Sequence, residues 1–254
     1  MSLLIQIKAI VLGVIFLIFV LLPACLIALP FRLTRRLKIV GPVWEFCAET
    51  LLKYACHAHL DIQEDHRSEP FRGVPCQGLY VANHQSYIDI PVLITMYVAP
   101  PIMKKEVLYI PIFGWLGWIS GALPVSRSKV SSRKKVFDLA KNRITNEKIG
   151  LQVYPEGTRS KDALPKHYDS LKRTLLVFAF NEKLPVIPTS IYGTRGLLSP
   201  LGMIRPGRHL GIIVHKEILP QDYKNSDEFC RAIWGKVTEG HDEMKSRLGP
   251  LNGN

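Results

Sequence analysis

The sequence predicts an α/β fold, a single domain with a mostly parallel or mixed sheet flanked by helices, preceded by an N-terminal membrane-embedded helical segment. Two observations predict the domain. Short apolar runs bounded by Gly and Pro alternate with longer stretches of helical periodicity. The 254 residues are 47% hydrophobic and contain no repeat or low-complexity linker, which suits one well-filled core. A third observation, an uncharged run of 21 residues at positions 9–29, predicts the membrane segment.

A helix over residues 9–29 would be about 31 Å long, enough to cross the hydrocarbon core of a bilayer. Pro23 allows a kink, so a re-entrant or tilted insertion is the alternative to a full span. A cleaved signal peptide ending near Cys25 fits less well, because basic residues follow the run and oppose export. These residues are Arg32, Arg35, Arg36 and Lys38. Since such residues tend to stay cytoplasmic, we expect the rest of the chain on the cytoplasmic face, at the inner membrane if the protein is bacterial.

A second helix is predicted over residues 44–57, where apolar positions such as Ala48 and Leu52 share one face. This helix either lies in the membrane interface or packs on the soluble domain, and the sequence leaves both readings open. The predicted division is therefore 1–60 for membrane-associated helices and 61–254 for the α/β domain.

The net charge of +12 suits a surface that binds polyanions, either nucleic acid or anionic lipid headgroups. The apolar N-terminal run decides between them, because a water-soluble nucleic-acid-binding protein has no use for such a segment. We therefore expect membrane lipids as partners and no nucleic acid. The five cysteines form no Cys-x-x-Cys pair, so neither a disulfide framework nor a metal site is predicted, and a reducing compartment is expected.

A histidine lies on a predicted strand-to-helix turn. Leu79–Ala82 reads as a buried strand and Ser86 begins an apolar periodic stretch, so His84 stands where ligands bind in α/β sheets. Either Ser86 and Asp89 form a capping box, or the turn folds His84 back onto Asp89. In the second case the carboxylate fixes the imidazole tautomer and leaves the other ring nitrogen as a base. No Gly-x-Ser-x-Gly sequence occurs, so the nucleophile would be a hydroxyl of the substrate.

The remaining elements alternate as an α/β domain requires. The His84 helix should end near Tyr97, before Pro100 and Pro101. Further strands are predicted at 122–125, 151–154, 186–192 and 210–215, and further helices at 171–180, 226–248 and from the basic run to about 146.

Two surface features suit a lipid membrane. A predicted loop carries aromatic residues that either pack in the core or insert among headgroups: Tyr109, Phe113, Trp115 and Trp118. A basic run opens the helix that follows, and it either is a solvated face or binds an anionic surface: Arg127, Lys129, Arg133, Lys134 and Lys135.

The turn at the end of strand 151–154 has the composition of an anion site. Gly157 allows backbone N–H groups to approach an anion closely, and the planar guanidinium of Arg159 matches phosphate oxygens. The alternative is that these residues form an ordinary turn with no ligand.

Four sequence blocks extend together over nearly half of the chain. The first is Asn83-His84 followed by Asp89, and the others are Lys105-Glu106 with residues 110–115, residues 154–160, and residues 186–188. In content and order these blocks resemble the motifs of the glycerolipid acyltransferases, the family that includes 1-acylglycerol-3-phosphate acyltransferase. The first block resembles that family's His-x-x-x-x-Asp motif.

The resemblance implies transfer of a fatty acyl group from a thioester, acyl carrier protein or coenzyme A, to the 2-hydroxyl of 1-acylglycerol-3-phosphate, giving phosphatidic acid. No metal or other cofactor is expected. The implied catalytic residues are His84 as base and Asp89 as its orienting partner. The implied phosphate-binding residues are Lys105, Arg159, Gly157 and Thr158. The implied supporting residues are Asn83, Glu156 and Pro188.

Two departures from the family pattern leave the acceptor open. Residues 171–174 read Leu-Lys-Arg-Thr where relatives have Phe-Lys-x-Gly, and residues 124–127 read Pro-Val-Ser-Arg where relatives have Pro-Val-Asp-Arg. One alternative is another acceptor, such as lyso-ornithine lipid, or transacylation between phospholipids. The other is a non-catalytic lipid-binding membrane anchor, in which His84 and Asp89 form only a cap.

Overall fold

The computed structural model describes residues 22–64, 78–109, 113–126, 130–197 and 204–250, together with the single positions 7, 11, 15 and 19. Its strands are β1 (His59–Glu64), β2 (Leu79–Ala82), β3 (Ile102–Lys104), β4 (Leu123–Val125), β5 (Leu151–Val153), β6 (Val186–Tyr192) and β7 (His209–Val214). Its α-helices are α1 (Leu22–Ala28), α2 (Leu33–Thr50), α3 (Asp89–Ile94), α4 (Phe113–Ile119), α5 (Val130–Thr145), α6 (Thr174–Asn181), α7 (Thr194–Leu197) and α8 (Ser226–Leu248).

Five strands form one mixed sheet in the order β1-β7-β6-β2-β5. The β6–β7 pair is antiparallel, and the other three pairs are parallel. Strands β3 and β4 form a separate parallel pair, which a parallel bridge between Pro101 and Gln152 joins to β5. Because β2, β5 and β6 run in the same direction, their carboxyl ends meet at one edge of the sheet. The predicted single α/β domain with a mixed sheet is confirmed.

The two faces of the sheet bury separate cores, since alternate residues of a strand point to opposite faces. On β2, Leu79 and Val81 pack with the buried sides of α5, α6 and α8. Tyr80 and Ala82 face the other way and pack with α3 and with the turn that follows α2. The site described below lies where these two layers meet the carboxyl edge.

The helix predicted over residues 44–57 is part of a longer one. The structure continues α2 from Leu33 into a π-helical turn, Leu51–Ala55, and Pro42 lies inside α2 without ending it. Leu52 is fully buried in the core that contains Tyr80, so the end of this helix packs on the α/β domain. The domain boundary at residue 60 stays a prediction.

Other element predictions differ from the structure in detail. The His84 helix begins at Asp89, three residues later than predicted, and ends at Ile94 before residue 97. The prediction of an aromatic loop is wrong, because the segment contains a 3-10 turn (Lys105–Tyr109) and α4. Trp118 is 60% exposed, as insertion among headgroups requires, whereas the side chains of Phe113 and Trp115 lie outside the described part.

Most of the predicted membrane segment, residues 9–21, lies outside the described residues except for positions 11, 15 and 19. Within the described part of the chain, no helix combines the length and apolar character needed to cross a bilayer. Of the basic run, Lys134 and Lys135 are exposed on α5, and the side chains of the other three residues lie outside the described part.

Candidate active site

The His84 side chain contacts the Asp89 carboxylate. The distance from His84 Nδ1 to Asp89 Oδ2 is 2.7 Å. Because a carboxylate only accepts hydrogen bonds, Nδ1 carries the proton and Nε2 presents its lone pair. The His84 side chain is 19% exposed, while Asp89 is fully buried. The expected contact is therefore present, with one ring nitrogen left to act on a ligand.

Asp89 is held by several donors, as a buried carboxylate requires. Its Oδ2 also accepts the backbone N–H groups of Gln85 at 2.7 Å and Ser86 at 3.0 Å. Its Oδ1 accepts the Thr194 hydroxyl at 2.5 Å. The bond from Ser86 N–H is one half of a capping box, so the two interpretations of this turn describe one arrangement.

Asn83 anchors the turn to strand β6. Its side-chain Nδ2 donates to Ile191 O at 2.8 Å, and its Oδ1 accepts from Ile191 N at 2.8 Å. The amide therefore takes the place of a strand backbone beyond the last β2–β6 pair, Ala82 with Thr189. This pairing explains why a fully buried asparagine precedes His84.

Glu156 lies behind the His84 backbone. Its Oε1 accepts the His84 N–H at 3.1 Å, and its buried Oε2 has no hydrogen-bond partner within the described residues. Burial raises the pKa of Glu156 to about 7, and the nearby Asp89 charge adds to this, while the His84 N–H and Lys166 oppose it. The carboxyl group therefore fixes the turn, and it does so in a setting that disfavours its charge.

Tyr154 covers one face of the imidazole. The two rings stack with centroids 4.2 Å apart and an interplanar angle of 23°. Burial raises the pKa of Tyr154 well above its ordinary value, so the phenol keeps its proton. The stack covers one face of the imidazole, and Nε2 of His84 makes no hydrogen bond within the described residues.

The turn after Tyr154 is built around Gly157 and two lysines. Gly157 has φ +67°, and a Cβ there would lie 2.7 Å from Lys172 Nζ, so no other residue fits without strain. Lys166 Nζ donates to Glu156 O at 3.1 Å and to Thr158 Oγ1 at 2.8 Å. Thr158 is thus held within the turn, and Lys166 and Lys172 bring positive charge beside it.

Arg159 lies flat over Tyr87, with its guanidinium carbon 3.7 Å from the ring centroid. Both side chains are exposed on the His84 side of the turn, and the stack orients the guanidinium. The Ser160 N–H donates to His84 O at 2.7 Å, so the chain after Arg159 is joined to the His84 turn. The structure therefore brings Arg159 to the same edge as His84.

Lys105 and Pro188 stand further from the imidazole contacts. Lys105 is exposed at the end of β3, whose carboxyl end points to the same edge. Within the described part of the chain it makes no hydrogen bond or ion pair with the other predicted site residues. Pro188 is buried inside β6, paired with Val81, and its carbonyl accepts the His215 N–H at 3.0 Å. It supports the sheet below the site.

Two cavities adjoin Tyr154, one on each face of the sheet. The smaller, about 290 Å³, has almost wholly apolar walls from α2, α3, β3 and α4, including Ala48, Leu93 and Gly117. The larger, about 900 Å³, has apolar walls from α5 and α6 and charged groups at its rim, including Lys172. Within the described residues Tyr154 is the only side chain that lines both.

The described residues contain no metal site, and two of their buried cysteines are unreactive thiols. No group of three or more His, Cys, Asp or Glu side chains in that part of the chain is placed to hold a metal ion. Burial raises the pKa of Cys56 and of Cys230 to about 11, so both stay thiols at neutral pH. The arrangement offers a histidine base and leaves the nucleophile to a ligand.

Sequence reasoning missed several residues of the site. Thr194 and Tyr87 carry no motif, although Tyr87 lies within the His84 block. Lys172 stood in a segment considered only as a departure from the family pattern, and Lys166 was not considered. A cation count around the Gly157 turn would have found the two lysines.

The sequence profile of the acyltransferase family matches residues 65–192, half of the chain, and the chain belongs to that family.

The chain is similar to proteins named as 1-acyl-sn-glycerol-3-phosphate acyltransferases. It is 29% identical over 177 residues to the chloroplastic protein BAT2 of Brassica napus, which covers 67% of this chain and 47% of that protein. It is 31% identical over 122 residues to the Salmonella typhimurium protein, covering 46% and 47%. The chain thus spans about half the length of the curated relatives it matches. The crystal structure of the 1-acyl-sn-glycerophosphate acyltransferase PlsC from Thermotoga maritima superimposes with a TM-score of 0.77 at 23% identity over 98% of both chains, so the two share a fold.

Proposed function

We propose that the protein transfers a fatty acyl group from a thioester to the 2-hydroxyl of 1-acylglycerol-3-phosphate, giving phosphatidic acid. The observation that carries the proposal is the His84–Asp89 contact of 2.7 Å, which leaves Nε2 as a base at the carboxyl edge of the sheet. The names of the relatives support the choice of acceptor. The donor is acyl carrier protein or coenzyme A carrying the acyl chain.

The reaction requires no covalent enzyme intermediate, because a thioester is already activated. His84 Nε2 takes the hydroxyl proton as the acceptor oxygen forms a bond to the thioester carbonyl carbon. Asp89 stabilises the imidazolium that results. The carbon–sulfur bond then breaks, and the imidazolium returns the proton to the leaving sulfur. General-base assistance is worth about 10²- to 10⁴-fold, and no cofactor takes part.

The smaller cavity suits the acyl chain of the donor. Its walls are apolar, so a hydrocarbon chain leaves water without removing polar groups from water. Its wall at Tyr154 also contacts the His84 ring, so a chain bound there would place its carbonyl carbon near Nε2.

The acceptor phosphate needs cations, and the lining of the smaller cavity contains none within the described residues. Arg159, oriented by Tyr87, and Lys172, beside Gly157, supply positive charge at the mouth of the larger cavity and the adjoining turn. We therefore assign the acceptor to this side, with Thr158, Lys166 and Gly157 shaping the turn. Lys105 provides a further cation along the same edge.

The acceptor and the product are both membrane lipids. The apolar N-terminal run with its basic flank supports a site at the cytoplasmic surface of a membrane. Keeping the acceptor in the bilayer avoids moving its chain into water at about 0.8 kcal/mol per CH₂. Trp118 and Tyr109 are exposed aromatic side chains suited to the interface.

The test is acyl transfer by the purified full chain in lipid vesicles. Labelled acyl carrier protein and coenzyme A thioesters are offered with lysophosphatidic acid, lyso-ornithine lipid and neutral lysolipids. We expect product from lysophosphatidic acid. We also expect no turnover from His84→Ala, with vesicle binding kept. His167→Ala, which removes an exposed imidazole, is the matched control.

Three outcomes contradict parts of the proposal. Product only from another acceptor changes the substrate. Transfer to no acceptor from any donor leaves a lipid-binding anchor. Full activity of His84→Ala would show that His84 is not the base.

A further inference from the structure

The Thr194 hydroxyl is the only donor to Asp89 that comes from outside the His84 turn, among the residues the structure describes. His84, Gln85 and Ser86 all bond to Oδ2. Thr194 Oγ1 lies 2.5 Å from Oδ1. Both Thr194 and Asp89 are fully buried, so water does not compete for this bond. One side chain therefore holds the second carboxylate oxygen by itself.

The second oxygen matters because the last torsion of an aspartate is soft. Donors on Oδ2 alone fix one atom and leave the carboxylate plane free to turn about it. A donor on Oδ1 fixes a second atom and so fixes the plane. The Oδ2 lone pair that faces His84 Nδ1 then has a set direction, and through it so does the imidazole.

Thr194 reaches Asp89 because of the chain reversal at Gly193. Gly193 has φ +92°, and a Cβ there would lie 2.3 Å from His209 O, so the reversal requires glycine. It places Thr194 immediately beyond β6. The same end of β6 holds Asn83 through Ile191. The His84 turn and the Asp89 carboxylate are thus both held by the end of β6.

The hydroxyl has one hydrogen and two neighbouring acceptors. Gln85 Oε1 lies 3.3 Å away, and Asp89 Oδ1 is both nearer and charged. The hydrogen therefore goes to Asp89. Gln85 Nε2 donates at 2.6 Å to Ala163 O, which also contacts His241 Nε2 at 3.2 Å, so the amide is fixed by other partners.

We propose that Thr194 is a positioning residue for the His84–Asp89 pair, which rests on the function proposed above. Its hydroxyl sets the carboxylate plane, and Nε2 is thereby aimed at the proton of the acceptor hydroxyl. It touches no substrate.

The test compares Thr194→Val, which keeps the shape and removes the hydroxyl, with Thr194→Ser, which keeps the hydroxyl. We expect kcat of Thr194→Val to fall roughly 10- to 100-fold, the worth of one hydrogen bond to a charged group. KM for acceptor and donor should stay near the wild-type values, because no binding contact is lost. Thr194→Ser should restore kcat to within about threefold, since the hydroxyl is the feature that acts.

A second readout does not depend on turnover. The Nδ1–H proton of His84, shared with Asp89, gives a low-field proton resonance in protein labelled with ¹⁵N-histidine and assigned by its absence in His84→Ala. We expect Thr194→Val to shift or broaden this signal and Thr194→Ser to keep it. Thr189→Val, the same change at a buried threonine inside β6, should leave both the signal and kcat unchanged.

The outcomes separate this inference from the proposed function. Wild-type kcat and an unchanged resonance in Thr194→Val overturn the positioning role, as does a loss in Thr194→Ser equal to that in Thr194→Val. A wild-type protein that transfers no acyl group defeats the function, while the resonance still tests Thr194. If Thr194→Val does not fold, Thr194→Ala removes the hydroxyl without adding a methyl group beside the carboxylate, and the same results are expected.

Discussion

Glu156→Gln should change the way stability depends on pH. The carboxyl group is 1% exposed, one of its oxygens has no partner within the described residues, and its folded-state pKa is about 7 against an ordinary 4.5. Between these two pH values the folded protein binds the proton more tightly than the unfolded chain does. The stabilisation is therefore complete below about pH 4.5 and is lost as pH rises through about 7.

The size of the effect follows from the pKa difference. At about 1.4 kcal/mol per pH unit, the free energy of unfolding should fall by about 3 kcal/mol across this range because of Glu156 alone. Glutamine does not titrate, and its side-chain oxygen can still accept the His84 N–H. The free energy of unfolding of the variant, relative to that of the wild type, should therefore rise by about 3 kcal/mol between pH 4 and pH 8. Any difference in stability that does not depend on pH leaves this change unaffected.

The assay is urea unfolding of the full chain in nonionic detergent, followed by tryptophan fluorescence at several pH values. Other titrating groups cancel when the wild type is subtracted from the variant. Glu217→Gln, at an exposed glutamate, controls for the loss of one carboxylate charge. A difference between Glu156→Gln and wild type that is the same at pH 4 and pH 8 would refute the reasoning.

Three other groups of substitutions test the site. Arg159→Ala should raise KM for lysophosphatidic acid and have little effect on an acceptor without phosphate. Tyr87→Ala should have the same effect more weakly, because the ring supports the guanidinium. Tyr87→Phe keeps the ring and should leave KM unchanged. An equal loss on both acceptors would remove the phosphate role. Asn83→Leu should lower the free energy of unfolding by about 3 kcal/mol, because it leaves the buried Ile191 N–H and C=O without partners; urea midpoints measure this, and an unchanged midpoint contradicts the anchor. Ala48→Phe, in the smaller cavity, should shift donor preference to shorter acyl chains in a competition assay. Leu175→Trp, in the larger cavity, should raise KM for the acceptor. The reverse pattern would exchange the two cavity assignments.

Sequence patterns located the elements whose burial is regular. The predicted bounds of β6 and α8 agree with the structure. β6 is buried along its whole length and mostly apolar, and the long helix α8 carries a clear apolar stripe. β1 was missed because it has only two apolar residues, Leu60 and Ile62, and lies half-buried at the edge of the described sheet, next to β7. A proline usually marks a helix boundary, but tertiary packing overrides this preference at Pro42, which lies inside α2.

The site divides in the same way between local and distant contacts. His84 and Asp89 are five residues apart, and their motif was sufficient to place them together. Thr194 is 105 positions from Asp89, and Glu156 is 72 from His84, so neither contact leaves a mark in local periodicity. Only the strand order, which brings β6 and β5 to either side of β2, puts these residues in reach.

The placement of the cavities on opposite faces of the sheet has an evolutionary consequence. Their walls come from different helices, and Tyr154 alone is common to both within the described residues. Substitutions far apart combine additively, to within about 0.5 kcal/mol. On the proposed assignment of donor and acceptor to the two cavities, natural variation could therefore change the preferred fatty acid without disturbing the preferred lipid acceptor, and lineages could diversify the two preferences separately.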